Sequence, residues 1–388
     1  MKYYIIAGEA SGDLHGSNLM RAIIQRDAQA DIRYWGGDRM ASVEGHTTMV
    51  RHIRDLAFMG FVEVVQNLRT VLGNITFCKQ DILSFRPDVV VFIDYPGFNL
   101  KIAKYTHQQG FRNVYYISPQ VWAWKRGRVK AMRRDLDSLC YILPLERDFF
   151  SQVDFPQAVY VGHPLIDEVR SYRHSAAAAG EDNVEAQRPP VIALLPGSRK
   201  MELRKMMPPM LHLAGKHPEY RFVVAGMSLL GAPFYQSLLG AEPPANVEVR
   251  YDCTYDILSQ AHAAVVCSGT ATLEAAIFRV PQVVCYKANA LSVAIAKAFA
   301  KVRYISLVNL IADRTVVREL IQRDLSDNVL EQEFRLIAAD TGVRTRMLQE
   351  YDEVVALLGN GDASDKTADI IVAKGSGGKD SHNNPTNH

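Results

Sequence analysis

The residue best suited to proton transfer in this sequence is Asp94, which directly follows the strongly apolar run 88–93. A carboxylate at the exit of a buried strand faces a medium of low dielectric, which raises its pKa and lets it act as a general base toward a hydroxyl group. Pro96 and Gly97 follow closely, and an aspartate before them could equally cap a turn. The sequence leaves both roles open.

The residue best suited to hold a phosphate is Arg199, which follows Gly197 and Ser198 after the apolar run 191–195. A guanidinium directly after a Gly-Ser turn can bind a diphosphate with two parallel hydrogen bonds and stabilise a departing nucleotide. The sequence contains no Asp or His cluster with metal-ligand spacing, so we expect no metal and no other cofactor. Cationic side chains and helix N-termini would neutralise the leaving group instead.

A similar turn comes near the N-terminus, where the segment 8–13, with the sequence Gly-Glu-Ala-Ser-Gly-Asp, follows the apolar run 3–7. Its small residues let the backbone turn sharply from a strand into a helix, predicted over 14–25. Exposed N–H groups at such a junction favour an anion, and phosphate is the obvious candidate. Two such turns far apart predict two nucleotide-type folds that face a shared cleft.

Polar residues also follow other apolar runs. Ligands of parallel sheets bind beyond the carboxyl ends of the strands, so these positions are the ones to inspect. Glu274 lies one turn into the helix predicted after Thr270 and could bind ribose hydroxyls, although a glutamate there more commonly interacts with the helix dipole. For His163, a structural role in its turn is favoured over catalysis. The remaining positions are Glu9, Ser11, Ser118, Gln120, Ser268 and Gly269.

Apolar runs predict two series of strands that alternate with helical stretches, which is typical of parallel sheets with helices on both faces. We therefore predict an α/β protein of two Rossmann-like domains. The first series of strands is 3–7, 32–36, 89–93, 114–118, 139–143 and 158–161, and the second is 191–195, 221–225, 247–250, 263–267 and 282–286.

The length of the chain also predicts two domains, because 388 residues are more than a single hydrophobic core usually supports. An Ala-, Glu- and Gln-rich stretch that ends in two prolines marks the boundary. We predict that the last helices of the second domain are free to pack back on the first. The predicted segments are a first domain over 1–170, a linker over 171–190, a second domain over 191–358 and a disordered tail over 359–388.

The net charge of +2 gives no general reason to expect nucleic acid as a partner. The five cysteines lack metal-ligand spacing and indicate reduced thiols in a cytoplasmic protein. Only Lys2 separates the initiating residue from the first apolar run, which argues against a cleavable signal peptide, and no run reaches the length of a membrane-spanning helix. We expect a cytoplasmic protein that can lie against a bilayer.

The stretch 56–75 places apolar residues over about half of a helical wheel. A core helix explains such a pattern more often than a surface that dips into lipid, and both interpretations stay open.

A second segment combines tryptophans with cations, since Trp122 and Trp124 precede six basic residues within 125–134, among them Arg126. This is ordinarily a solvated helix face, but beside two tryptophans it also suits an anionic headgroup or a sugar phosphate. The region around 294–303 repeats the mixture of apolar and basic residues.

Six motifs, in order along the chain, resemble those of the lipid-A-disaccharide synthase family. The match runs from residue 1 to about residue 358, and so many motifs in register make the resemblance specific. The motifs are Gly8-Glu9-Ala10-Ser11-Gly12-Asp13, Phe58-Met59-Gly60-Phe61-Val62-Glu63-Val64, Ser118-Pro119-Gln120-Val121-Trp122-Ala123-Trp124, Gly162-His163-Pro164, Leu195-Pro196-Gly197-Ser198-Arg199 and Ser268-Gly269-Thr270-Ala271-Thr272-Leu273-Glu274.

The resemblance implies a glycosyltransferase of the GT-B type that joins UDP-2,3-diacylglucosamine to 2,3-diacylglucosamine 1-phosphate. The products would be a β-1,6-linked lipid A disaccharide 1-phosphate and UDP. The family inverts the anomeric centre without a metal and works at the cytoplasmic face of the inner membrane. The implied partners are the two acylated sugars and the membrane surface, with no nucleic acid and with a homodimer left open.

The resemblance also implies roles for single residues. Asp94 matches the catalytic acidic residue of the family and Arg199 its essential arginine, while Glu9, Ser11 and Asn309 match further residues at the cleft. Two positions depart from the family pattern, since Gly97 stands where a second Asp is expected and Val308 replaces a Pro before Asn309. By similarity to related transferases, the substrate-binding set is Gly197, Ser198, Ser268, Gly269, Thr270, Glu274, Asn309, Trp122, Trp124 and Arg126, with Glu274 on the ribose and the backbone of 268–270 on the diphosphate.

An alternative enzyme is a UDP-N-acetylglucosamine 2-epimerase, which shares the paired-sheet architecture but needs neither acceptor nor membrane. A nucleotide-sugar-binding regulator without turnover is disfavoured, because candidates for both a base and a leaving-group cation are present.

Overall fold

The computed structural model describes residues 1–56, 68–123, 126–178, 189–287 and 303–377. The chain forms two compact units, of which the first contains Met1–Pro164 and the C-terminal segment from Gly361, and the second contains Leu165–Asn360. Each unit is built on one parallel sheet. The predicted α/β class with two parallel sheets is confirmed.

The sheet of the first unit has seven strands, in the order β3-β2-β1-β4-β5-β6-β7, and every neighbouring pair is parallel. In chain order they are β1 Lys2–Ala7, β2 Asp31–Gly36, β3 His46–His52, β4 Val89–Ile93, β5 Arg112–Tyr116, β6 Ser138–Tyr141 and β7 Ala158–Tyr160. The order of the strands reverses between β1 and β4, and such a reversal leaves a crevice where α/β sheets bind ligands.

Both faces of this sheet are covered, which explains why its central strands are continuous apolar runs. Along β1, Tyr3 and Ile5 enter one core cluster, while Tyr4 and Ile6 enter the cluster on the opposite face. The helices are α1 Ala10–Arg26, α2 Asp38–Ala41, α3 Leu68–Phe85, α4 Pro96–Gln108, α5 Arg128–Asp135 and α6 Glu146–Gln152, with a 3-10 helix at Ile53–Leu56.

The sheet of the second unit has six parallel strands in the order β10-β9-β8-β11-β12-β13. They are β8 Val191–Leu195, β9 Arg221–Gly226, β10 Val247–Tyr251, β11 Ala261–Cys267, β12 Gln282–Tyr286 and β13 Arg318–Ile321. The helices of this part of the chain are α7 Pro164–Ala178, α8 Lys200–Lys216, α9 Ala232–Leu239, α10 Thr254–Gln260, α11 Ala271–Ile277, α12 Leu307–Ala312, α13 Asp327–Ala338 and α14 Gly342–Leu357, with a 3-10 helix at Ser228–Leu230.

The prediction of a disordered tail over 359–388 is wrong for its first half, where helix α15 Ala363–Ser376 packs against α1 in the first unit. Ala368 and Ile371 are fully buried on its inner face, and Arg26 of α1 forms ion pairs with Asp365 and Asp369. The polar average of the whole tail concealed this short amphipathic stretch. Residues 378–388 lie outside the described residues.

The domain boundary also differs from the prediction. The two units separate at Pro164 and Leu165, and the beginning of the predicted linker lies inside helix α7. Residues 179–188 of that linker lie outside the described residues.

Two strands escaped prediction, the edge strands β3 and β13, because polar residues interrupt their apolar runs. Edge strands carry polar side chains, and β3 is only partly buried along its length.

Candidate functional site

The candidate site of the first unit lies at the carboxyl edge of its sheet, where β1 and β4 are neighbours. There β1 runs into Gly8 and Glu9, and β4 runs into Asp94 and Tyr95. A side chain at Gly8 would collide with the ring of Tyr95, so the two turns approach this closely only because position 8 is glycine. The sheet order thus brings two of the predicted segments together.

Asp94 and Tyr95 both adopt the left-handed backbone conformation, with φ of 44° and 50°. This conformation is unfavourable for residues with a side chain and persists only where the surroundings hold it. Here the carbonyl oxygen of Asp94 accepts hydrogen bonds from the Tyr115 hydroxyl at 2.5 Å and from Asn99 Nδ2 at 2.8 Å. Asn99 and Tyr115 carry no signal of this role in the sequence, because their hydrogen-bond partner is a backbone atom that only folding brings near.

The pKa of the Asp94 carboxyl group is raised from its ordinary value of 3.8 to about 6, first by burial and then by the negative charge of Glu9. The N–H of Tyr95 and the charge of His15 act in the opposite direction. Helix α4 has Tyr95 as its N-cap and no side chain caps it, so the capping role left open for Asp94 is not seen at this helix. A carboxyl group that titrates near neutral pH is suited to act as a general base.

The rest of the first turn divides into exposed and buried residues. Glu9 and Ser11 are exposed at the start of helix α1. Asp13, at the end of the same motif, is buried and accepts hydrogen bonds from the backbone N–H of Gly37 at 2.6 Å and of Met40 at 3.0 Å. Asp13 therefore fixes the loop after β2, and it leaves Glu9 and Ser11 as the accessible polar side chains of the motif.

Two further titratable groups lie buried after β6 and β7. Burial raises the pKa of Glu146 to about 8, and its carboxyl group accepts a hydrogen bond from the Leu143 N–H at 3.1 Å. Burial, helped by the charge of His15, lowers the pKa of His163 to about 3. His163 is therefore neutral at physiological pH, which fits the structural role favoured for it.

The tryptophan and arginine segment is described in part. Trp122 is partly buried, and its indole Nε1 has no hydrogen-bond partner among the described residues. Arg126 is exposed and places its guanidinium 5.3 Å from the ring centre of Phe149. Trp124 lies outside the described residues.

Much of the apolar stretch 56–75 lies outside the described residues, and so does the mixed segment around 294–302. Where the stretch is described, in helix α3, it splits, since Ile75 is buried in the core whereas Leu72 is 51% exposed. The choice between core and lipid therefore stays open. No helix within the described ranges has both the length and the apolar character needed to span a bilayer.

In the second unit, β8 runs into the turn that carries Arg199. Gly197 has a φ of 100°, and a side chain there would come within 2.7 Å of Glu202 Oε2, so this position requires glycine. Glu202 also accepts a hydrogen bond from the Arg199 N–H at 3.3 Å, which fixes the start of helix α8. The Arg199 guanidinium lies 3.6 Å from Glu202 and is 66% exposed, so it is accessible to an anion.

The neighbouring strand β11 runs into Ser268, Gly269 and Thr270, so this turn and the Arg199 turn leave adjacent strands at the same edge. The Ser268 N–H already donates to the Cys285 carbonyl at 3.1 Å, which removes it from the set predicted to bind a diphosphate. Gly269 and Thr270 are exposed, and among the described residues no hydrogen bond uses their N–H groups. Of the three backbone N–H groups predicted to bind the diphosphate, those of Gly269 and Thr270 therefore remain as candidates.

Glu274 lies in the first turn of helix α11, where its carboxylate is 3.4 Å from the Tyr255 hydroxyl. The same hydroxyl is 3.3 Å from Glu168 Oε2. Both carboxylates raise the pKa of Tyr255, in addition to the effect of burial. Glu274 is partly buried and remains compatible both with the ribose role and with the helix-dipole role.

Asn309 is fully buried, and its side-chain amide is saturated by protein atoms. Its Nδ2 donates to Glu319 and to the Val317 carbonyl, both at 2.9 Å, and its Oδ1 accepts from the N–H of Val316 at 2.8 Å and of Val317 at 2.9 Å. An amide side chain has two donors and two acceptor sites, and all four are used. Asn309 is therefore not placed to contact a substrate directly.

The sheets bring together Glu9 with Asp94 in the first unit, and Arg199 with the Ser268 turn in the second. The predicted cleft shared by the two folds stays a prediction, because Asp94 and Arg199 belong to different units. Within the described ranges, no three His, Cys, Asp or Glu side chains are grouped as a metal ion would require.

A family model described as lipid-A-disaccharide synthetase matches residues 3–368 of the chain. The lipid-A-disaccharide synthase of Trichlorobacter lovleyi is 35% identical over 379 residues, which cover 95% of this chain and 96% of the relative. That of Idiomarina loihiensis is 35% identical over 378 residues, covering 95% and 97%.

Among solved structures, a UDP-GlcNAc 2-epimerase from Neisseria meningitidis bound to UDP-GlcNAc is similar with a TM-score of 0.66 and 13% identity, covering 96% of this chain and all of its own. The glycotransferase of kitacinnamycin is similar with a TM-score of 0.63 and 15% identity, covering 96% and 98%. At these identities the likeness concerns the fold alone, two Rossmann-like domains of the GT-B kind.

Proposed function

The chain belongs to the family described as lipid-A-disaccharide synthetase, and from this premise we propose its donor, its acceptor and the roles of its residues. The resemblance predicted from six motifs is confirmed, and the chain is a glycosyltransferase of lipid A disaccharide synthesis. The proposed donor is UDP-2,3-diacylglucosamine and the proposed acceptor is 2,3-diacylglucosamine 1-phosphate. The products are a β-1,6-linked disaccharide 1-phosphate and UDP.

Asp94 acts as the base in this proposal. It takes the proton of the acceptor 6-hydroxyl, the oxygen attacks the anomeric carbon of the donor in line, and the bond from that carbon to UDP breaks. The attack from the side opposite UDP inverts the anomeric centre. The observation that carries the proposal is the position of Asp94 at the carboxyl edge of the sheet, beside the turn after β1. Burial there raises its pKa to about 6, which suits a base that must be deprotonated near neutral pH and still have affinity for a proton.

The second unit binds the donor in this proposal. The exposed guanidinium of Arg199 and the N–H groups of Gly269 and Thr270 receive the diphosphate, whose negative charge grows as the sugar bond breaks. Glu274 accepts hydrogen bonds from the ribose hydroxyls. Because these groups supply the charge stabilisation, we propose that the reaction needs no metal ion.

We propose that the protein works at the cytoplasmic face of the inner membrane, as a peripheral protein. Both proposed substrates carry acyl chains, which keep them in a bilayer. Exposed Leu72 on helix α3 and exposed Arg126 give the first unit an apolar and a cationic group suited to that surface.

The test is a mass spectrum of the product formed from the two acylated sugars, together with an assay of UDP release. We expect the mass of the disaccharide 1-phosphate, and we expect UDP release that requires the acceptor and persists in EDTA. If UDP or an altered UDP-sugar formed equally well without the acceptor, the transfer proposal would be wrong, and the epimerase alternative would replace it.

A further inference from the structure

Glu319 organises a segment of the second unit that no motif of the sequence singled out. It lies on the edge strand β13, and its carboxylate accepts hydrogen bonds from the N–H of Ile305 at 3.0 Å and the N–H of Ser306 at 2.9 Å. The same carboxylate also accepts a hydrogen bond from the Ser306 hydroxyl at 2.8 Å and one from Asn309 Nδ2 at 2.9 Å. One carboxylate therefore holds four donors from the segment 305–309.

Three of these four donors belong to Ser306 and Asn309, which are fully buried and therefore away from water. Hydrogen bonds to a charged acceptor are stronger than neutral ones, and a buried donor left without its acceptor is costly. The segment also starts helix α12, where the Ser306 hydroxyl accepts a hydrogen bond from the Asn309 N–H at 3.2 Å. The position of the segment thus depends on Glu319.

The segment is connected in turn to the edge of the sheet. The Ile305 carbonyl accepts a hydrogen bond from the Ser268 hydroxyl at 2.8 Å. Ser268 directly precedes Gly269 and Thr270, whose N–H groups receive the diphosphate in the proposed function. A chain of contacts therefore runs from Glu319 through Ile305 and Ser268 to the donor-binding turn.

We infer that Glu319 is a positioning residue for the nucleoside diphosphate part of the donor, acting through the segment 305–309 and Ser268. The inference rests on the proposed function for the identity of the ligand, and it assigns Asn309 to the same network. Glu319 sets how well the turn after β11 is arranged for the diphosphate, and it takes no part in proton transfer.

The test replaces Glu319 by Gln, which keeps the size of the side chain but presents an amide group to donors. We expect the dissociation constant of UDP, measured by calorimetry, and the KM for the donor each to rise about 10-fold, as the loss of one or two such hydrogen bonds implies. The kcat at saturating donor and the KM for the acceptor should stay within about threefold of the native values. The matched control is Glu333→Gln. Glu333 lies on helix α13 and forms an ion pair with Arg318, the neighbour of Glu319 on β13, and its replacement should leave all of these constants unchanged.

A double-mutant cycle tests the route. If Glu319 acts through Ser268, the effects of Glu319→Gln and Ser268→Ala on UDP affinity are less than additive in the double variant. Should Glu319→Gln fail to fold, Ser306→Ala removes one donor of the network and should raise the same two constants by a smaller factor. Unchanged UDP affinity in a folded variant, or an equal loss for donor and acceptor, would overturn the inference. UDP binding is read without turnover, so it separates this result from a failure of the proposed reaction.

Discussion

The two sheets end in edges that share a topology but differ in chemistry. At the edge of the first unit, Asp94 is held in a strained backbone among buried groups, and its pKa is raised to about 6. At the edge of the second unit, Arg199 is mostly exposed beside a turn whose Gly269 and Thr270 N–H groups donate to no other residue that the structure describes. A desolvated carboxyl group suits proton transfer, whereas accessible cations and N–H groups suit an anion.

The difference arises from the residues that follow β4 in the first sheet and β11 in the second, the strands next to the point where the strand order reverses. After β4, two left-handed residues precede the helix, so the Asp94 side chain stays at the edge, and its carbonyl is held by Tyr115 and Asn99. After β11, the chain passes through Ser268, Gly269 and Thr270 into a helix, and Gly269 and Thr270 are exposed. The same fold thus produces a desolvated carboxyl group in one unit and an accessible guanidinium in the other.

The largest effect is expected for Asp94→Asn, which keeps the shape of the side chain but removes the proposed base. We expect kcat to fall about 10³-fold, since general base catalysis commonly contributes that much. In the native protein, kcat should fall as the pH drops below about 6, where Asp94 becomes protonated. The measurements are steady-state rates of disaccharide formation and their pH profile.

The stability of this variant gives an independent reading. Because the folded state raises the pKa of Asp94, its charge costs stability increasingly from pH 3.8 up to about 6, and the full cost persists above that pH. The Asn variant lacks this cost, so its Tm at pH 7.5 should be equal or higher. Asp88→Asn, at the opposite end of β4, is the control and should keep full activity. Near-native turnover by Asp94→Asn would show that Asp94 is not the base.

An intermediate effect is expected for Arg199 in the second unit. Arg199→Ala should lower kcat/KM for the donor about 100-fold and weaken UDP binding, because a charge that stabilises the leaving group is lost. Arg199→Lys should recover only part of this, since an ammonium group cannot form two parallel hydrogen bonds. The control is Arg204→Ala, because Arg204 lies on helix α8, which begins directly after Arg199, and its guanidinium contacts the Phe234 ring. If UDP affinity is the same in native protein and Arg199→Ala, the anion site lies elsewhere.

The smallest effect is expected for Tyr115→Phe, which removes one of the two hydrogen bonds to the Asp94 carbonyl. We expect kcat to fall about 3- to 10-fold with an unchanged KM for the donor, the magnitude of a single hydrogen bond. Tyr3→Phe is the control, because this buried tyrosine of the same sheet donates to Asp27 instead. If both variants had native rates, the hydrogen bond that fixes the Asp94 backbone would have no effect on the reaction.

The order of residues along the chain was enough to find the buried strands and the polar residues directly after them. Apolar runs such as 89–93 and 191–195 are local signals, and the carboxyl ends of parallel strands must share an edge, so Asp94 and Arg199 could be found without coordinates. The edge strand β13 was missed because Arg318 and Glu319 make it polar, and its key side chain was missed with it.

Which polar residues stay available to a ligand became clear only from the folded molecule. The resemblance assigns Asn309 a binding role, and Asp13 belongs to a turn predicted to bind phosphate. Folding saturates Asp13 with the backbone of residues 37–40 and Asn309 with the network of Glu319. Helix α15 became visible in the same way, through its contact with a helix more than three hundred residues earlier. Hydrophobic periodicity depends on residues that are neighbours in the sequence, so it can be read without coordinates. The partner of a buried hydrogen bond or ion pair comes from a distant segment that approaches only when the chain folds.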